Sequence, residues 1–185
     1  MKWISRTPIM GSNYGSKNDV DSVKNYVENH LSAHKLMGEN AAKRMSSYGT
    51  SDLDKAVQRF NAAHESAISF LIPDGEISRA RASLLFIESY RELPLLAWPR
   101  KLIDAIVELE ESMVKWRHSH ARMVERIMGR RIGTGGTSGV DYLDKTSQYR
   151  VFKDLWAVRT ILVKSDQRPV LVNPHFYGFS SEKEV

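Results

Sequence analysis

Residues 116–139 read WRHSHARMVERIMGRRIGTGGTSG, and this stretch decides the fold. Its apolar spacing predicts a helix, in which His118 and His120 stand two positions apart. Five glycines follow between positions 129 and 139, and Gly129 is expected to end the helix. Upstream, Pro99 suits a first helical position, so one long helix over about 99–128 is predicted. Such a helix favours an all-α architecture, a helical bundle.

The rest of the chain follows the same pattern. Apolar periodicity predicts four more helices, over about 19–37, 51–71, 77–92 and 140–163. Asp19 and Ser51 are expected to cap the first two, and Gly38 to end the first. Residues 161–172, ILVKSDQRPVLV, are compatible with a minor hairpin. The prediction is a single helical domain, 1–185, with a glycine-rich loop at 133–139.

Composition narrows the function classes. The 185 residues include 42% hydrophobic and 26% charged residues, typical of a globular protein. The sequence has no cysteine, which excludes disulfides and thiolate metal sites and fits the cytoplasm. No signal-peptide pattern or run of 18 apolar residues is present, so we expect no membrane partner. Basic residues alternate with acidic ones despite the net charge of +5, so we expect no nucleic-acid partner either.

His120 lies among apolar residues of the long helix. At seven-residue spacing it shares a line with Met113 and Ile127, while Trp116 and Met123 lie on the adjoining line. A third line contains Ile103, Val107, Val114, Ala121, Val124 and Met128. These positions predict that His120 lies within a buried stripe, whereas His118 is expected to be solvated.

Two interpretations of His120 remain open at this level. One is a neutral core histidine held by hydrogen bonds. The other is a metal ligand: a lone histidine makes a poor zinc site, but haem needs only one because the porphyrin supplies four ligands. If Trp116 is buried, its indole N–H needs a partner, which the far nitrogen of His120 or a carbonyl could supply. His30 and His34 have the i, i+4 spacing of a metal pair, but we expect them on a solvated face.

The segment GTGGTSG at 133–139 is not a nucleotide loop, because it follows a helix and lacks the P-loop lysine. It can be a plain connector. Alternatively, it closes over a bound ligand, with the hydroxyls of Thr134, Thr137 and Ser138 forming hydrogen bonds.

Together these residues resemble the C-terminal half of the tryptophan 2,3-dioxygenase family. WRHSH is similar to the family's WRxxH, and GTGGTSGVDYL to its GTGGSSGxxYL; threonine in place of serine keeps the hydroxyl. FIESYRELP, YRVFKDLWAVRTIL and WISRTP resemble further segments of the family in the same order. The resemblance runs from Trp3 to about Leu162.

The resemblance implies a helical, oligomeric oxidoreductase containing haem b (iron protoporphyrin IX). Such an enzyme inserts O₂ across the indole 2,3 bond of L-tryptophan, giving N-formylkynurenine. It implies that His120 is the proximal iron ligand and that Trp116 supports it, with Met123, Val124 and Ile127 beside the cofactor. It also implies that the substrate is bound by the loop residues Thr134, Gly135, Gly136 and Thr137.

Family members are longer, and their N-terminal half carries the distal residues. No catalytic residue is therefore assigned in this chain, and we expect a homo- or hetero-oligomer in which another polypeptide supplies the distal half. The haem propionates are expected to pair with one or more arginines among Arg117, Arg122, Arg126, Arg130 and Arg131. The alternatives are a related haem-dependent mono-oxygenase or hydroxylase of an aromatic amino acid, a non-catalytic haem-binding subunit, and a purely structural bundle.

Overall fold

The all-α prediction is confirmed. A computed structural model describes residues 2–47, 52–131 and 139–178, and every regular element in those ranges is helical. The α-helices are α1 (Lys17–Ser47), α2 (Leu53–Leu71), α3 (Arg79–Ser89), α4 (Ala97–Met128), α5 (Gly139–Ser147) and α6 (Lys153–Ala157). Short 3₁₀ helices lie at Ile4–Arg6, Pro73–Gly75, Pro94–Leu96, Val158–Ile161 and Pro174–Tyr177. The hairpin considered for 161–172 does not form.

The chain divides into two compact units. The first comprises the described residues of Met1–Arg100 and Asp154–Val185, and the second comprises those of Lys101–Lys153. None of the helices in the described ranges is long and apolar enough to cross a membrane.

In the first unit, α3 forms the centre of the core. Seven consecutive residues of this short helix, from Ala82 to Glu88, are buried. The Phe86 ring meets the Tyr26 ring of α1 edge to face, with centroids 5.4 Å apart. At the start of α3, Arg79 forms a two-pronged ion pair with the buried carboxylate of Asp19. Its guanidinium also donates to the Ser5 and Thr7 carbonyls, so it ties the N-terminal segment to the core.

Two details of α1 differ from the prediction. Ser16 is the capping residue, because its hydroxyl accepts a hydrogen bond from the Asp19 backbone N–H. The Asp19 side chain instead accepts hydrogen bonds from Arg79 and the Ser12 hydroxyl. Gly38 does not end the helix, which continues for nine more residues. A Cβ at Gly38 would lie 3.3 Å from the Phe60 Cβ, so this glycine serves the close approach of α1 and α2.

In the second unit, α4 ends at Met128 as predicted, with Gly129 in the left-handed conformation at φ +63°. The single helix predicted over 140–163 is wrong, because α5 stops at Ser147 and α6 begins at Lys153. The buried carboxylate of Glu110, on α4, accepts hydrogen bonds from the backbone N–H groups of Val151 and Phe152. These donors are therefore satisfied by a side chain, which stabilises a non-helical turn between α5 and α6.

Candidate functional site

The apolar lines of α4 have opposite environments. On the third line, Ile103, Val107 and Ala121 are buried, and Val114 and Val124 are half-buried. The other two lines face outward. Exposed side chains on this outer face are Leu109, Met113, Trp116, Met123 and Ile127. The prediction that His120 lies in a buried stripe is wrong, since helical spacing identifies an apolar face without identifying what covers it.

His120 lies half-buried at the centre of this outer face. Its imidazole ring stacks on the Trp116 indole one turn earlier, with centroids 5.4 Å apart and an interplanar angle of 19°. Trp116 is 64% exposed, so its N–H is not in the buried setting that would require an acceptor. Within residues 2–47, 52–131 and 139–178, the His120 ring has no hydrogen-bond partner. Its position on an apolar surface leaves a nitrogen available as a ligand.

The stacked pair restricts the imidazole. A histidine on an exposed helix face normally samples several rotamers, and contact with a large aromatic neighbour favours one of them. Met123 and Ile127 continue the same face by one and two turns, and Ile127 is 75% exposed. Val124, by contrast, lies on the half-buried third line. The arrangement presents one nitrogen ligand within a mostly apolar strip, which fits one side of a flat apolar cofactor.

Two polar residues on the buried line of α4 were not recognised as structural residues from the sequence. Glu110 and Arg117 follow Val107 and Val114 at three-residue spacing, where an apolar residue would be expected. Glu110 holds the turn after α5. The Arg117 guanidinium donates to the backbone carbonyl of Tyr149 at 3.1 Å, at that same turn. The sequence did contain a signal for these structural residues, namely a charged residue at each of two positions where the helical spacing predicts an apolar one.

Further ion pairs join α5 to the C-terminal half of α4. Arg122 contacts both Glu125 and Asp144, and its guanidinium holds the pKa of the Asp144 carboxyl below its ordinary value. Arg130 lies 2.9 Å from a Glu125 carboxylate oxygen and 3.6 Å from Asp141. These contacts fix α5 against the helix that carries His120.

The ion pairs also separate the five arginines considered for the haem propionates. Arg117, Arg122 and Arg130 are engaged within this unit. Arg126 and Arg131 are exposed, and neither forms an ion pair with any other described residue. Arg126 also lines a surface groove of about 570 Å³ beside Met123 and Ile127. It is therefore the arginine best placed to meet an anion at the outer face.

The remaining predicted positions have different outcomes. His118 is exposed, as predicted. The substrate-binding predictions for Thr134, Gly135, Gly136 and Thr137 fall in 132–138, outside the described residues. The prediction of a solvated face for His30 and His34 is wrong, because both side chains are buried. Within the described ranges, no three histidine, aspartate or glutamate side chains converge as a metal-ion site.

Comparison with known proteins gives a consistent assignment. The sequence profile of the tryptophan 2,3-dioxygenase family matches residues 1–162. A tryptophan 2,3-dioxygenase-like protein of Xanthomonas campestris is 42% identical over 97% of this chain and 69% of its own length. Tryptophan 2,3-dioxygenase 2 of Ralstonia nicotianae is 42% identical over 99% of this chain, and tryptophan 2,3-dioxygenase of Sorangium cellulosum is 40% identical over 98%. These matches cover 52% and 46% of the two relatives.

The chain thus spans about half the length of these two dioxygenases. The matched region includes the helix that carries His120 and most of both compact units. The profile matches residues 1–162, and the relatives named above are 40–42% identical to this chain. Together these matches establish common descent. The chain belongs to the tryptophan 2,3-dioxygenase family.

Proposed function

We propose that this chain forms the proximal side of a haem-dependent dioxygenase acting on L-tryptophan. In this reaction the indole 2,3 bond breaks, and both atoms of O₂ enter the product, N-formylkynurenine. Because both oxygen atoms are retained, no external reductant is consumed. The observation that carries the proposal is the His120 imidazole, which lies half-buried and stacked on Trp116 in an exposed apolar face.

The residues present fit a haem. The outer face of α4 offers one imidazole nitrogen, an aromatic neighbour and two apolar side chains, Met123 and Ile127, around it. A porphyrin needs a single axial protein ligand and an apolar surface against its face. When bound, haem b would supply the iron chemistry that activates O₂.

Each of the residues named on the outer face of α4 then has a definite role. His120 would hold the haem iron through a ring nitrogen, and Trp116 holds its ring in one orientation through the stacked contact. Met123 and Ile127 exclude water from the cofactor's proximal face. Arg126 would supply positive charge for a propionate, because Arg117, Arg122 and Arg130 are engaged with carboxylates or carbonyls. Arg126, unlike Arg131, also lines the groove beside Met123 and Ile127.

Substrate binding is assigned to the glycine-rich segment on the resemblance alone. The Thr134 hydroxyl is proposed to accept a hydrogen bond from the substrate ammonium group, with Gly135, Gly136 and Thr137 beside it. The helix that directly follows the segment, α5, is held against α4 by the ion pairs of Arg122 and Arg130. The distal side of the haem, including any catalytic base, is proposed to come from residues outside this sequence.

The ligand assignment is tested by absorption spectroscopy of the protein reconstituted with haemin. The expected result is one haem per chain with an intense Soret band, and loss of that band or a changed coordination spectrum in His120→Ala. His118→Ala is the matched control, two residues away on the same helix and exposed, and should behave like the parent. A spectrum indifferent to His120→Ala would overturn the assignment.

The reaction is tested on the protein purified with whatever chains accompany it. Turnover of L-tryptophan under ¹⁸O₂ should place two labelled oxygen atoms in the product, as measured by mass spectrometry. Incorporation of one labelled atom would replace dioxygenation with mono-oxygenation while leaving the haem assignment intact.

A further inference from the structure

The first unit contains a cavity that the proposed haem chemistry does not use. It has a volume of about 490 Å³ and lies between α1 and α2, with Thr160 at its edge. Met37, Val57 and Phe60 provide apolar walls. Its size and its apolar lining are those of a small-molecule site. All of its described lining residues belong to the first unit, and none lies on α4.

Two imidazole rings line this cavity. His34, on α1, and His64, on α2, stack with centroids 5.6 Å apart and an interplanar angle of 21°. His34 is only 5% exposed. The Nδ1 atoms of both rings are buried without a hydrogen-bond partner among the described residues. A buried polar atom without a partner is costly, so native proteins usually satisfy such atoms with a ligand or water.

One turn away, His30 also has a buried Nδ1 without a partner among the described residues, but its other ring nitrogen is bonded within the fold. Its Nε2–H donates to the Ile161 carbonyl at 2.8 Å, and the ring is fully buried. His34 has no corresponding bond to any described residue. Burial lowers the pKa of His34, and the nearby His64 lowers it further, so the ring is neutral at pH 7. A neutral imidazole carries one donor and one acceptor, and no described residue takes up the Nδ1 of His34.

The charge around the cavity indicates which molecule fits. Lys35 and Lys43 lie on its lining with Glu39 between them on α1, leaving a net positive charge. Neither lysine forms an ion pair with another described residue. An anionic group is favoured beside them, while the Phe60 ring and the stacked imidazoles favour a flat aromatic body.

We propose that the cavity between α1 and α2 binds a small planar aromatic carboxylate. Its ring lies against Met37, Val57 and Phe60, and its carboxylate accepts hydrogen bonds from the imidazoles of His34 and His64. Lys35 and Lys43 balance its charge. This site is independent of the proposed haem, because none of these residues lies on α4.

The test is a calorimetric titration of the protein with 2-naphthoate. Saturable binding of one molecule per chain is expected, with a Kd of about 1 mM or tighter for a ligand of this size. The uncharged analogue 2-naphthamide has the same shape and should bind at least five times more weakly. Equal affinity for the two compounds would overturn the role of the carboxylate.

Variants locate the site. His34→Phe and His64→Phe keep a flat ring but remove the nitrogens, so each should weaken 2-naphthoate binding at least five-fold. His118→Phe, on the exposed side of α4, is the matched control and should leave the Kd unchanged. Ala42→Trp, at a half-buried lining position, should fill the cavity and abolish binding without touching either histidine.

Far-UV circular dichroism confirms that each variant is folded before titration. Absence of saturable binding to the parent protein would overturn the proposal. A Kd unchanged in Ala42→Trp and in both histidine variants would do the same by placing the ligand elsewhere.

Discussion

Helix α3 and the outer face of α4 are both rich in apolar residues, yet they have opposite environments. From Ala82 to Glu88, α3 is buried on every side. Along α4, five large apolar side chains from Leu109 to Ile127 are 40–75% exposed. Apolar sequence therefore identifies surface that must be covered, but only α3 is covered by its own compact unit. In α4 the uncovered surface surrounds His120, and this is the face to which the proposed haem site is assigned.

The largest expected effect comes from truncating the same residue type in both places. Leu85 in α3 is fully buried, and Leu109 in α4 is 57% exposed. Leu85→Ala should lower the free energy of unfolding by about 2–5 kcal/mol, because it leaves a cavity in a packed core. Leu109→Ala should change it by less than about 0.5 kcal/mol. Urea unfolding of the haem-free protein, followed by far-UV circular dichroism, measures both.

A comparable loss of stability in the two variants would contradict the difference in burial between α3 and α4, since it would mean that Leu109 is covered in solution. An unchanged slope of free energy against urea concentration is the control that both variants unfold from similarly compact states.

The next largest effect concerns pH and the buried histidines of α1. Burial lowers the pKa of His30 to about 4, against the hydrogen bond to the Ile161 carbonyl and with a smaller contribution from His34. The ordinary histidine value is about 6.5, so the unfolded chain binds a proton that the folded chain excludes between these values. Stability is therefore complete above about pH 6.5 and declines as pH falls towards 4. The loss attributable to His30 is about 3 kcal/mol.

The measurement is a series of urea unfolding curves between pH 7.5 and pH 4. This range covers both the folded and the unfolded pKa of His30. His30→Phe removes the titrating group and should flatten most of the slope, whereas His118→Phe should not. The remaining slope is assigned to His34, whose pKa is also lowered. A parent protein equally stable across the window would show that His30 is hydrated in solution.

The sequence was sufficient for the all-α class and for the extent of α4, and insufficient for the surroundings of the helices. The WRxxH and GTGG motifs identified the family, and helical spacing located α4 almost to its ends. Burial was harder, because it depends on which elements meet. His30 and His34 resemble a solvated pair in sequence but face the core, and Gly38 resembles a helix end but serves the contact with Phe60. These outcomes are set by tertiary contacts that local periodicity does not encode.

A smaller effect is expected at the buried line of α4. Glu110→Ala would leave the backbone N–H groups of Val151 and Phe152 without their acceptor, and should destabilise the protein by about 2 kcal/mol. Glu110→Gln keeps an oxygen acceptor and should cost less. Glu111→Ala, at the adjacent exposed position, is the control and should stay within about 0.5 kcal/mol.

Amide hydrogen exchange localises this effect. Faster exchange at Val151 and Phe152 in Glu110→Ala, with little change in α3, would show that the carboxylate holds this turn. Uniformly faster exchange would instead show a global role for Glu110.

The smallest expected effect separates two arginines on the outer part of α4. Arg126 is exposed, lines the groove beside Met123 and Ile127, and has no ion pair with a described residue, whereas Arg130 is engaged with Glu125. If Arg126 meets a haem propionate, Arg126→Gln should weaken haemin binding about three-fold, the size expected of a partly solvated ion pair. Arg130→Gln removes the same charge from the same helix end and should change the affinity less.

Competition against apomyoglobin measures both affinities, and raising the salt concentration should reduce the difference between the variants, because solvent-exposed charges are screened. Equal weakening in the two variants would mean that haem responds to the net charge of this helix end, so that the exposed apolar face around His120 accounts for binding without a specific propionate partner.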